Sequence, residues 1–98
     1  MELDEIKPIV IAVCRDFDVK RLDAFGSLAR GTQTNTSDVD LLVEFHENAP
    51  HRAKQFCGLL HRLKDTLGCE VDLLTVRGLR NPYFRRRILE ERMPLYEG

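Results

Sequence analysis

Gly26 and Ser27, followed after ten residues by Asp38-Val39-Asp40, are residue types from which phosphate and metal chemistry is built. Side chains alternate faces along a strand, so Asp38 and Asp40 project from one face while Val39, Leu41 and Val43 project from the other. Two carboxylates held together oppose each other's ionisation unless a cation lies between them. A hard divalent ion such as Mg²⁺ takes oxygen ligands of this kind, keeps several waters and accepts substrate phosphates beside one or two carboxylates. Gly26 lets an anion approach the backbone with no side chain in the way. Ser27, at the start of a helical turn, can cap that turn and offer its hydroxyl and neighbouring N–H groups to the anion. The spacing predicts a phosphate site beside a metal site.

The elements that must position these residues are legible from periodicity. Leu3, Ile6, Val10, Val13 and Phe17 recur at three- and four-residue steps and predict an amphipathic helix over 3–15. Residues 20–25 read as a short strand with Leu22 and Ala24 inward and Asp23 and Phe25 on the other face. A turn at Gly26, one or two helical turns over 28–31 and a polar loop over 32–37 lead into a central strand at 39–45. Pro50 suits the first position of a helix whose stripe is Ala53, Phe56, Cys57, Leu60, Leu63 and Leu67, closed by Gly68. Residues 69–75 form a third strand, with Asp72 facing away from Val71 and Leu73. Asn81-Pro82 opens a last helix to about residue 92, with Phe84, Ile88 and Leu89 inward, and Leu95-Tyr96 adds an edge strand. The order predicts an α/β fold: a small mixed β-sheet with flanking helices.

At 98 residues the chain is expected to be a single domain, 1–98. With 15 Lys+Arg against 16 Asp+Glu, it makes no overall electrostatic case for nucleic acid or an anionic membrane. Met1-Glu2-Leu3-Asp4 reads as neither a basic n-region nor an apolar h-region and no apolar run approaches the ~20 residues of a span, so a cytoplasmic protein is expected. Cys14, Cys57 and Cys69 form no CxxC pair and are expected to be reduced, mostly buried thiols. Cys57 and His61 stand four apart but lack a further ligand pair, which argues against zinc.

The ungapped run of Gly26, Ser27, Ala29, Arg30, Gly31, Ser37, Asp38, Asp40, Leu41 and Val43 resembles the signature of the nucleotidyltransferase superfamily related to DNA polymerase beta. Within that superfamily it is similar to the small prokaryotic minimal nucleotidyltransferase (MNT) domains. The resemblance implies the polymerase beta-like fold, with Asp38 and Asp40 holding two Mg²⁺ ions. It also implies a third catalytic acid on a later strand, where Asp72 fits best and Glu70 is the alternative. Gly26 and Ser27 would contact the phosphates of ATP, and Arg30 would pair with a phosphate or with an acid of the site. Domains of this size typically form the antitoxin half of a pair whose toxin is a HEPN-domain ribonuclease. By that resemblance AMP would pass to a tyrosine hydroxyl of the toxin, the second protein supplying the acceptor surface.

Two other readings stay open: an antitoxin acting by steric binding alone, and a free-standing transferase acting on a small hydroxylated molecule. The Arg77, Arg80, Arg85, Arg86 and Arg87 cluster reads as a solvated helix face or as a docking surface for an acidic partner, a triphosphate or RNA. Tyr83 and Phe84 are too few for a base-stacking platform, so no direct nucleic-acid contact is expected.

Overall fold

A computed structural model describes residues 2–31 and 38–98, so the polar loop expected at 32–37, Ser37 included, lies outside the described residues. The order is α1 (Leu3–Cys14), β1 (Val19–Ala24), α2 (Gly26–Arg30), β2 (Val39–Phe45), α3 (Arg52–Leu67), β3 (Val71–Thr75), a 3₁₀ turn (Val76–Gly78), α4 (Pro82–Glu91) and β4 (Met93–Glu97). The four strands form one sheet in the order β3-β2-β1-β4. β2 pairs with β3 in parallel, whereas β1 runs antiparallel to both β2 and β4, so the sheet is mixed as expected.

Both faces of the sheet are covered, and by different helices. On one face Val39, Leu41 and Val43 of β2 meet Ile6, Val10 and Val13 of α1 and Leu59, Leu63 and Leu67 of α3 in the larger core. On the other face Leu42 packs with Phe25, Leu79 and the α4 residue Ile88 in a smaller core. Period-two alternation assigns these sides correctly, and Val71 and Leu73 of β3 likewise enter the larger core while Asp72 stays exposed.

Several expected details are corrected. Pro50 precedes α3 without starting it, because His51 occupies the N-cap position in a left-handed conformation at φ 53°. The α3 stripe is rotated toward Leu59, which is fully buried, while Ala53 and Cys57 are exposed. A helix with a broad apolar arc does not disclose which edge of that arc its neighbours will cover. Only Cys14 is a buried thiol, since Cys57 is exposed and Cys69 half-buried. Phe84, expected inward, is 47% exposed. The start of α4 follows the expected chemistry, with the Asn81 side chain accepting from the Tyr83 and Phe84 N–H groups at 3.0 and 3.2 Å.

Candidate active site

β1 ends where β2 begins, and that adjacency brings the Gly-Ser turn to the acids. The Phe25 N–H donates to the Asp40 carbonyl at 3.1 Å, and the chain then turns through Gly26 at φ 65° into α2. A Cβ at position 26 would run into the Asp40 carboxylate oxygen and stand 3.3 Å from its Cγ. Glycine is therefore favoured twice, for its left-handed backbone and for the space that Asp40 fills in this arrangement. α2 closes after five residues at Gly31, at φ 73°. Ser27 does not cap it: Phe25 holds the N-cap position, no side chain caps the turn, and half-buried Ser27 lies inside it.

Asp40 on β2 is the parallel-register partner of Asp72 on β3, so their carboxylates leave the same face of adjacent strands. Asp38 stands exposed one residue before β2, where the Val39 N–H donates to the Glu70 carbonyl at 3.0 Å. The Asp40 carboxyl is held above its ordinary pKa, first by burial, then by the Asp72 and Asp38 charges, with Arg30 opposing. Burial, followed by Asp38 and Glu70, also raises the Cys69 thiol.

The two candidates for the third acid have different surroundings. Glu70 turns toward α3, where its Oε2 lies 3.3 Å from Lys64 Nζ, leaving Asp72 opposite Asp40. Among the described residues no three His, Cys, Asp or Glu side chains are gathered closely enough to hold a metal ion, so the acids are neighbours by register and do not form a closed cage. The donor set nevertheless suits a hard divalent cation. All three groups are carboxylates, their mutual repulsion is what a cation would relieve, and Mg²⁺ asks for only one or two carboxylates beside waters and phosphates. Cys57 and His61 belong to no metal-holding group among the described residues.

Two acids of this region escaped sequence reasoning. Asp23 is 1% exposed on the same sheet face as Asp40; the Arg21 Nε donates to both its oxygens at 2.8 Å, and Arg92 Nη1 lies 3.4 Å from Oδ2. Alternation placed Asp23 on this face, but only the packing of α4 explains why the face is dry. Glu91 on α4 accepts from Arg30 Nη1 at 3.2 Å with one oxygen and stands 3.4 Å from Arg87 Nε with the other. Arg30 is thus held between α2 and α4, within electrostatic reach of Asp40. Among the described residues Asp38 and Asp72 are exposed and Asp40 is half-buried. A cleft of about 480 Å³, lined by Phe45, Phe56 and Arg77 among others, lies toward the opposite end of β2 and involves none of them.

The model of a family described as "nucleotidyltransferase domain" matches residues 6–95. MJ1379 of Methanocaldococcus jannaschii, named provisionally as a protein adenylyltransferase, is 40% identical over 93 residues, spanning 91% of this chain and 93% of its own. A solved structure described provisionally as a minimal nucleotidyltransferase is 35% identical, with a TM-score of 0.80 and coverage of 97% of both chains. A solved complex of the tri-AMPylated Shewanella oneidensis HEPN toxin with its MNT antitoxin contains a chain of the same fold. That chain has a TM-score of 0.67 at 18% identity, over 98% of this chain and 73% of its own.

Proposed function

Since the chain belongs to the nucleotidyltransferase family, we propose that it transfers AMP from ATP to a tyrosine hydroxyl of a HEPN-domain toxin and acts as that toxin's antitoxin. The observation that carries the catalytic part is the Asp40–Asp72 register beside a glycine that no other residue could replace without meeting Asp40. The protein acceptor is supported by the adenylyltransferase name of MJ1379 and by the AMPylated HEPN toxin in the complex of like fold. Exposed Asp38 and Asp72 suit an acceptor carried on another macromolecule.

In the proposed reaction the acceptor oxygen forms a bond to the α-phosphorus of ATP, the bond to the bridging oxygen breaks, and pyrophosphate leaves. Asp72, exposed at the open edge of the acidic face, takes the acceptor proton as general base. Asp38, Asp40 and Asp72 would hold two Mg²⁺ ions, which supply neutralisation of the charge developing on attacking and leaving oxygens. Gly26 and Ser27 present their backbone N–H groups, and the Ser27 hydroxyl, to the phosphates. Arg30, anchored through Nη1 by Glu91, keeps its remaining donors for a phosphate oxygen. Positioning and electrostatics account for most of catalysis in this scheme, so few side chains are needed.

The test uses ATP labelled in turn at the α- and the γ-phosphate, incubated with the chain, Mg²⁺ and a HEPN-domain protein from the same organism. Label on the HEPN protein from α-labelled ATP alone, with pyrophosphate released, is the predicted result. Label from the γ-position would mean a kinase, and label from neither would remove the transferase reading for this acceptor.

A further inference from the structure

The inward stripe of α4 runs past the protein that covers it. Ile88 is 3% exposed among Phe25, Leu42 and Leu79, yet Phe84, one turn earlier on the same side of the helix, is 47% exposed. Tyr83 beside it is 85% exposed, and these two are among only three large hydrophobic side chains exposed within the described residues. Arg80 precedes the helix and Arg85 lies in its first turns. Neither they nor Arg77 make an ion pair among the described residues, whereas Arg86 and Arg87 are matched by Glu90 and Glu91 within the helix.

Charge is segregated accordingly. Residues 77–92 hold six arginines against two glutamates, a surplus of four positive charges, which leaves an excess of five negative charges on the rest of a chain of net charge −1. A polyanion such as RNA needs an extended basic track and would be repelled by the acidic remainder. A folded protein with a local acidic patch would not. Tyr and Arg are also the side chains that anchor protein interfaces most often. A symmetric dimer through this surface would set α4 against its own copy, arginine facing arginine, which disfavours a second copy as the occupant.

We propose that the first turn of α4, with Tyr83 and Phe84 at its centre and Arg80 and Arg85 beside them, is the docking surface for an acidic patch on the acceptor protein. This rests on the reading that the acceptor is a protein. Phe84 and Glu91 are seven residues apart on one helix, about 11 Å along its axis. A specific interface covers about 800 Å² per partner, a disc on the order of 30 Å across. One partner seated on Phe84 therefore also spans the Arg30–Glu91 pair and presents its hydroxyl to the acidic face.

The experiment is calorimetric titration of a HEPN-domain protein from the same organism into wild type, Phe84→Ser, and Arg80→Glu with Arg85→Glu. A fourth titration uses Asp38→Ala with Asp40→Ala, and circular dichroism melts confirm folding throughout. Each α4 variant is expected to bind at least about tenfold more weakly with its ATP affinity unchanged, and the charge reversal to flatten the salt dependence. The aspartate variant is expected to bind as wild type. Unchanged affinity in the α4 variants would overturn the docking surface, and continuing AMP transfer would then leave the proposed function standing. Weakened binding without any AMP transfer by wild type would keep the surface and sink the catalytic reading. No binding by wild type would overturn the docking surface, and no AMP transfer beside it would sink the proposed function as well. A labelled single-stranded RNA displaced by the charge reversal, with HEPN affinity unmoved, would assign the patch to RNA and overturn the proposal.

Discussion

The Asp40 carboxylate occupies the space in which any side chain at position 26 would begin. The turn proposed to approach the phosphates and the acid proposed to hold the metal are therefore shaped against each other. Gly26→Ala adds a methyl group that meets Asp40 and places an alanine at φ 65°, a left-handed conformation costing roughly 1–2 kcal/mol. The variant is expected to melt several degrees below wild type, since about 1 kcal/mol corresponds to 4–8 °C in a domain of this size. AMP transfer should fall by about a hundredfold, because displacement of a positioned group by ~1 Å costs that much. Thermal melts and initial rates of the same preparation read both effects.

Asp40 carries a conflict between stability and chemistry. Its carboxyl binds its proton more tightly in the fold than the ordinary value of 3.8, through burial and then Asp72 and Asp38. Where the native state holds more protons than the unfolded one, stability falls as pH rises, so ionised Asp40 weakens the metal-free fold above that window. Asp40→Asn should melt higher than wild type at pH 7, and the difference should shrink as pH is lowered toward 3.8. Activity should be lost at every pH. Mg²⁺ should raise the melting temperature of wild type more than that of the variant, and by less as Asp40 protonates.

Asp23 is the reverse case, a buried acid that serves the scaffold. Replacing it with Asn leaves Arg21 and Arg92 without their anion. Both arginines are partly exposed, so the loss is expected near that of a charged hydrogen bond, about 2 kcal/mol, and below that of a fully buried pair. Urea unfolding should show a lower midpoint with unchanged slope. Because Arg92 adjoins the end of α4 that bears Glu91, KM for ATP should rise in the same variant through a looser Arg30.

The cysteines separate by burial. Burial pushes the Cys14 thiol up to about 12 from 9.0, so above pH 9 the unfolded chain releases its proton before the native one and stability declines as pH rises toward 12. Cys14→Ala should remove its share of that slope and leave the share of Cys69. In the native protein a maleimide should modify exposed Cys57 rapidly and leave Cys14 untouched until urea unfolds the chain.

What the sequence discloses follows from what is local. Alternation put Asp38 and Asp40 opposite Val39, Leu41 and Val43, and Asp72 opposite Val71 and Leu73, and packing agrees at each of those apolar positions. The pairing of Asp40 with Asp72 needed more, because parallel register is set by the α3 crossover and not by either strand alone. Asp23 read as an outward residue, since nothing in 20–25 says that α4 will return to cover its face. Ser27 suggests a cap by type, but the turn begins two residues earlier than that role requires, with Phe25 at the N-cap. Phe84 fits the α4 stripe by spacing, yet burial depends on whether anything lies beneath that end of the helix.

The central claim, AMP transfer by the acidic face, is tested most directly by the intact mass of the HEPN-domain protein after incubation with this chain, ATP and Mg²⁺, beside an Asp38→Ala, Asp40→Ala control. A mass gain of one or more AMP units with wild type, and none with the control, is the predicted result. An unchanged mass with wild type in a stable complex would contradict the claim and establish an antitoxin that acts by binding alone.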